Sequence, residues 1–357
     1  MTATNGATRG AEPVPDTMRA AVYTGPQQFE IEHLPVPGPE GGEILVRIEY
    51  ASICGTDVHG FMHDVVPHGS TLGHEYSGSV AALGPGVTRW AVGDAIVGGG
   101  GERPPGIPRF VDADPRLNFR KAGWQMQPPS SRAYAEYVVM KEWQPLMLPE
   151  NVSLLSASMT EPLCKGVRSI HKARFRIGDS VAVIGAGPIG LLCIQVAQAA
   201  GASQVIAIEP APARADAAKR SGADLVLDPR EVDLEEALVE LIDGKGPNVI
   251  IETAGARDTL SDAMSAVRKR GSVVLVALSW DPVPVMPVDW IAREIRMVTT
   301  ISDEPSDWRT GLDLMARGLV NTGPLLAPGA VVPLEDIQGA FESLTTPSDQ
   351  IKMIVRP

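Results

Sequence analysis

Over the first third of the chain, apolar residues come in short runs closed off by glycine or proline. "MRAAVYTG", "QFEIEHLPVPGP", "EILVRIEYASIC", "YSGSVAALGPGV" and "RAYAEYVVM" are the clearest. Such β-rich runs between turn residues predict strands. The pattern then changes. "SVAVIGAG", "QVIAIEP", "ADLVLD", "NVIIETAG" and "GSVVLVALS" are apolar and β-branched over strand length. Alanine-, leucine- and charge-rich stretches such as "APARADAAKRSG" and "LEEALVELIDG" separate them. Buried strands alternating with helices predict a parallel sheet covered on both faces. From about residue 302 the pattern is mixed, with a helix-like "DWRTGLDLMARG" and a closing strand "IKMIVRP". That remainder is short for a domain of its own.

One uncharged run, "VAVIGAGPIGLLCIQVAQAAG", has the length of a membrane span. Three of its four glycines and its proline fall between Gly185 and Gly190, which fits a strand, a tight turn and a buried helix better. Composition narrows the partners. The formal net charge of −12 disfavours nucleic acid and anionic membrane surfaces. Three cysteines (Cys54, Cys164 and Cys193) cannot form a disulfide framework. A reducing, cytoplasmic setting is expected. The opening residues 1–17 are small, polar and proline-bearing and are expected to form a flexible tail.

"VAVIGAGPIG" places Gly185, Gly187 and Gly190 in G-x-G-x-x-G spacing between a strand and a helix, with Pro188 and Ile189 inside the loop. The first glycine permits the tight turn. The second lets the backbone approach a pyrophosphate at the helix N-terminus, and the third lets the helix lie close to the sheet. The next strand ends at Glu209, near the expected distance of about 20 residues. A carboxylate there accepts hydrogen bonds from ribose hydroxyls and repels a 2′-phosphate, which favours NAD over NADP. Arg214 is a further candidate at the cofactor and would partly offset that preference; its plainer reading is a solvated helix charge.

"ASICGTDVHG", "TLGHEYSG" and "TEPLCKG" hold a second chemistry. Cys54 and His74 are donors suited to zinc, with Glu75 beside them and Glu161 or Cys164 later. Singly, each has a plain reading as core cysteine or structural histidine. In an extended strand His74 and Glu75 would point to opposite faces. Both reach one ion only if the backbone turns, which Gly73 allows.

"CGTDVH", "GHEYSG", "EPL" and "GAGPIG", in this order, resemble the zinc-dependent medium-chain dehydrogenases, and "GHE" with "EPL" is similar to their polyol and threonine dehydrogenase branch. The resemblance implies an α/β chain with a GroES-like β-rich catalytic domain and a Rossmann cofactor domain. The expected boundaries are 18–160 with 305–357 for the first and 161–304 for the second. It implies zinc held by Cys54 and His74, with Glu75 and Glu161 completing or exchanging at the metal, and Cys164 as wall or core. Asp57 would hold the free ring nitrogen of His74. Thr56 would bond the substrate oxygen, and His59 would relay the proton to solvent through the cofactor ribose. The implied reaction is hydride transfer between a secondary alcohol or polyol and NAD, in a homodimer or homotetramer.

The chain departs from many relatives at residues 98–131, "GGGGERPPGIPRFVDADPRLNFRKAGWQMQPPSS" and its flanks, where a structural zinc lobe would need four cysteines and none occurs. One catalytic zinc and no structural zinc is therefore expected. Phe110, Phe119, Trp124 and nearby arginines make that stretch a candidate lid or subunit contact. Two other functions fit the fold: a zinc-free reductase of enones or quinones, and a nucleotide-binding regulator without chemistry.

Overall fold

The structure is a computed structural model that describes residues 13–107, 132–279, 282–301, 304–346 and 349–357. The chain divides by contacts into two units, Met1–Glu161 with Pro328–Pro357, and Pro162–Ala327.

The first unit opens with β1 (Thr17–Gly25) and β2 (Gln28–Pro35), then β3 (Glu43–Ser52) and helix α1 (Gly55–His63). β4 (Ser70–Thr71), β5 (Glu75–Leu83), β6 (Ala95–Val97), β7 (Tyr137–Lys141) and β8 (Leu146–Met147) follow, with a short helix α2 (Leu154–Ala157). Helix α3 (Thr160–Ala173) begins at the junction.

The second unit alternates strand and helix: β9 (Ser180–Ile184), α4 (Pro188–Ala199), β10 (Gln204–Ile208), α5 (Pro212–Arg220), β11 (Leu225–Leu227), α6 (Leu234–Leu241), β12 (Val249–Glu252), α7 (Thr259–Ala266) and β13 (Ser272–Leu275). It ends with α8 (Pro287–Arg293), β14 (Arg296–Thr299) and α9 (Pro305–Ala316). The chain then returns to the first unit as β15 (Val331–Pro333), α10 (Ile337–Leu344) and β16 (Ile354–Arg356).

Among the described residues the second unit is a six-stranded sheet in the order β11-β10-β9-β12-β13-β14, with every pairing parallel. Its central strand β9 is buried along its whole length, as its unbroken apolar run requires. The first unit has an antiparallel sheet β2-β1-β4 and a larger sheet β15-β16-β3-β5-β6-β8, with β7 also on β3. The segment before β7 joins the two sheets: Ala21 N–H donates to Tyr134 O at 2.8 Å, and Ile48 N–H to Glu136 O at 2.9 Å.

Two points differ from the sequence expectations. The expected tail reaches residue 17, yet Thr17 already pairs with Pro35 in β1; residues 1–12 lie outside the described residues. The sequence also assigns residues from 305 onward to the first domain, whereas 305–327 belong to the second unit. The physical reason lies at Asp307, fully buried at the N-terminus of α9. His171 Nδ1 lies 2.8 Å from its Oδ1, and Arg168 donates to its Oδ2 at 3.4 Å. Both partners are on α3, so α9 is tied to the second unit.

The first unit's core fixes α1. Phe61 stacks on Phe29 with centroids 5.6 Å apart and tilts against Phe341 of α10 at 5.2 Å. All three are buried. Burying aromatic surface on three elements sets the depth of α1, and with it the residues just before and inside its first turn. Phe61→Ala is expected to cost the first unit about 3–5 kcal/mol, the range for a large-to-small change in a packed core. Chemical denaturation followed by a first-unit probe such as Trp90 fluorescence measures it.

Candidate metal centre and cofactor loop

Two adjacent strands, β3 and β5, deliver the donors, and β16 flanks them. In the order β16-β3-β5, Ile354 pairs with Ser52, and Ser52 pairs with Glu75. Past Ser52 the chain continues for two residues, held by Ile53 N–H on Met353 O at 2.9 Å, and reaches Cys54. Cys54 is the N-cap of α1. Its sulfur accepts from the backbone of the N3 residue, Asp57, while the Asp57 carboxylate accepts the Cys54 N–H at 3.4 Å. This is a capping box with a thiol in the serine position. The same geometry that starts the helix therefore orients the sulfur.

His74 stands just before β5, after Gly73 at φ +98°. A Cβ on Gly73 would lie 3.0 Å from the Tyr134 ring in a left-handed backbone, so glycine is required twice over. The turn breaks strand alternation. One ligand atom each from Cys54, His74 and Glu75 then lies within 4.8 Å of the other two.

The surrounding shell is polar and buried. Asp57 is fully buried; its Oδ2 accepts the Tyr134 hydroxyl at 2.7 Å, and its Oδ1 lies 3.6 Å from His74 Nδ1. That separation is beyond hydrogen-bond range, and neither atom has another hydrogen-bond partner. Burial disfavours a charged His74, but the charges of Asp57 and Cys54 outweigh it and hold its pKa well above the ordinary value. Glu75 Oε2 accepts from Ser52 Oγ at 2.6 Å and from Lys352 Nζ. Lys352 is 2% exposed. Burial alone would lower its pKa; the charges of Glu75, Cys54 and Glu161, with the bond to Glu75, reverse this and raise it.

The other sequence candidates separate. Thr56 Oγ1 donates to Cys54 Sγ at 3.1 Å, which puts its hydroxyl at the donor group. His59 is half-buried, and its ring lies parallel to that of His63, 6.0 Å away. Burial, then the charge of His63, lowers its pKa. Glu161 is half-buried in the first turn of α3 and lies outside the three-donor group, although its charge reaches Lys352. Cys164 is fully buried in the second unit. The stretch 108–131 lies outside the described residues, and with it Phe110, Phe119, Trp124 and the charges around them.

Sequence reasoning missed Lys352, Ser52 and Tyr134. Lys352 did carry a signal, a lone charge inside the apolar run "IKMIV". Ser52 and Tyr134 carried none, because register alone brings them to the site.

In the second unit the glycine loop has the form a pyrophosphate needs. Gly185 sits at φ +91°. A Cβ on Gly190 would fall 1.9 Å from Gly185 O, whereas one on Gly187 would meet nothing within 4 Å. Space is thus left open at the N-cap of α4 and closed beneath it. Pro188 opens that helix, with Ile189 next to it half-buried. Glu209 braces the loop, its Oε2 accepting Ala186 N–H at 2.8 Å and its Oε1 accepting Ala211 N–H at 2.9 Å. Arg214 is half-buried on α5, with Nε lacking a hydrogen-bond partner. Arg230, a cation the sequence reading passed over, donates to Pro210 O at 2.6 Å beside Glu209.

Comparison with known proteins agrees with this layout. Residues 40–150 match the alcohol dehydrogenase GroES-like domain, and residues 188–317 the zinc-binding dehydrogenase domain. Sorbitol dehydrogenase of Bacillus subtilis is 30% identical over 355 residues, 96% of this chain and 98% of that protein. Sorbitol dehydrogenase of Halalkalibacterium halodurans is 34% identical over 315 residues, 87% and 91% of the two chains. The crystal structure of 2R,3R-butanediol dehydrogenase from Bacillus subtilis superposes with a TM-score of 0.82 at 26% identity, covering 95% of this chain and 99% of that one. The chain belongs to the zinc-binding alcohol dehydrogenase family, whose members combine these two domains.

The donor set fits zinc: one thiolate sulfur, one imidazole and one carboxylate make three protein ligands, the number that leaves a catalytic zinc an open position. The glycine cradle likewise fits a nicotinamide dinucleotide. Tyr134→Phe removes the short bond on buried Asp57 Oδ2. It is expected to cost about 1–3 kcal/mol, the usual penalty for a buried acceptor losing its partner. Thermal unfolding of the metal-free and zinc-loaded variants against wild type measures it.

Proposed function

We propose that the chain oxidises a secondary alcohol or polyol to the ketone with NAD, through a single zinc held by Cys54, His74 and Glu75. The observation that carries the proposal is the convergence of those three donors within 4.8 Å, with the Thr56 hydroxyl on the Cys54 sulfur. When bound, zinc polarises the alcohol oxygen and the nicotinamide accepts the hydride. His74 turns Nδ1 towards Asp57, which leaves Nε2 for the metal. Thr56 relays the alcohol proton, giving up its own hydroxyl proton as it accepts, and neutral His59 receives the outgoing proton. Glu161 is the exchanging carboxylate, close enough for its charge to act on Lys352.

The substrate class rests on relatives named for sorbitol, for D-xylulose and for butanediol. Glu209, buried at the loop, supports NAD over NADP; Arg214 and Arg230 reduce that preference without reversing it. A homo-oligomer is supported by the outer edge of β14, unpaired among the described residues, and by α8 with its N-cap, where Met286, Val288 and Ile291 are exposed. No described helix is long and apolar enough to cross a membrane.

Cys54→Ala and His74→Ala are each expected to lose bound zinc and alcohol oxidation together, while wild type prefers NAD by about tenfold or more, roughly 1.4 kcal/mol. Plasma mass spectrometry and initial rates on sorbitol, xylitol and 2,3-butanediol check this; full turnover in a zinc-free variant contradicts it. The relay has its own signature. His59 must be neutral to accept a proton, so oxidation falls as pH drops through its pKa, which burial and then His63 hold below the ordinary histidine value. His63→Ala removes the second of these causes, so the acid limb of kcat moves to higher pH. An unmoved limb contradicts the role of His59.

A further inference from the structure

Glu75 is tethered on one side only. Both of its side-chain hydrogen bonds, from Ser52 Oγ and from Lys352 Nζ, fall on Oε2. Oε1 is thereby left for a metal. The tether is not incidental to folding. Lys352 sits two residues ahead of β16, opposite Cys54 by register, and is only 2% exposed. A buried ammonium is costly, and an apolar residue would fill the position at lower desolvation cost. Ser52 completes the grip, its one hydroxyl proton lying between Glu75 Oε2 at 2.6 Å and Ser158 O at 2.9 Å. Ser52 on β3 and Lys352 just ahead of β16 thus hold one carboxylate oxygen.

We propose that Lys352 is a positioning residue that makes Glu75 a weak, releasable ligand of the metal. Its ammonium holds Oε2, limits Glu75 to one donor atom, and draws part of the carboxylate's charge away from the cation. Glu75 is then poised to let go when another oxygen ligand approaches, while Cys54 and His74 keep the metal. The inference rests on the zinc reading above and adds what sets the strength of its third ligand.

The test uses the full-length zinc-loaded protein, with zinc release to excess chromogenic chelator as the readout and no substrate present. Lys352→Met frees both oxygens of Glu75 and removes a cation beside the metal, so release is expected to slow by about tenfold or more, the usual reach of a residue behind a ligand. Lys352→Arg keeps the charge, but a guanidinium takes both carboxylate oxygens in a fork, so release is expected to quicken by a similar factor, about tenfold. A merely structural lysine predicts faster loss in both variants. Faster or unchanged release in Lys352→Met overturns the proposal. Should that variant fail to fold, Lys352→Gln, which removes the charge and keeps a hydrogen-bond donor, takes its place, and faster or unchanged release there overturns the proposal. A wild type that holds no zinc overturns the zinc reading as well, whereas a wild type with one tightly held zinc and no change in either variant overturns only the role of Lys352.

Discussion

Ionisable side chains at one end of the first unit's larger sheet tolerate burial only through one another. Asp57, Glu75 and Lys352 are each nearly or wholly buried, and His74 is largely so. In an apolar interior any one of them alone would cost several kcal/mol. Together they form two short chains. Tyr134 and the Cys54 backbone hold Asp57, which faces His74; Ser52 and Lys352 hold Glu75. Between the chains lie the sulfur, the imidazole and the free carboxylate oxygen. A dication held there, as proposed, would offset the negative charge of the buried Asp57 and Glu75 carboxylates.

The supporting architecture is local in one sense and distant in another. A capping box at Cys54 and a glycine turn at Gly73 are local solutions, each written in a few residues. Lys352 arrives from the far end of the chain by strand register, and Tyr134 from the segment that joins the two sheets. The second unit solves a different problem, approach rather than charge. Its loop opens space at Gly187 and removes it beneath Gly190, so a phosphate would meet backbone N–H groups at a helix start.

The legible part of this was the part written in short-range pattern. The change from turn-bounded strands to strand–helix alternation located both folds, because period and turn residues act within a few positions. G-x-G-x-x-G with Glu209 marked the cofactor loop, although the double use of Glu209 as a brace for Ala186 and Ala211 did not show. Cys54, Asp57, His74 and Glu75 were visible as residue types. What escaped depends on register and packing. Nothing near Tyr134 announces a bond to Asp57, and the pairing of Ser52 with Glu75 needs the ladder itself. The placement of α9 escaped for the same reason. Its allegiance is decided by Arg168 and His171 on Asp307, an interaction spanning more than one hundred positions.

The central claim, that one zinc is bound through a single sulfur, is tested most directly by zinc K-edge X-ray absorption on dialysed wild-type protein, scaled to zinc per chain. The account predicts about one zinc, with one sulfur near 2.3 Å and the remaining scatterers nitrogen or oxygen near 2.0–2.2 Å. A zinc-free protein would contradict it, and so would a spectrum with two or more sulfur ligands, since Cys54 is the one cysteine in the donor group among the described residues.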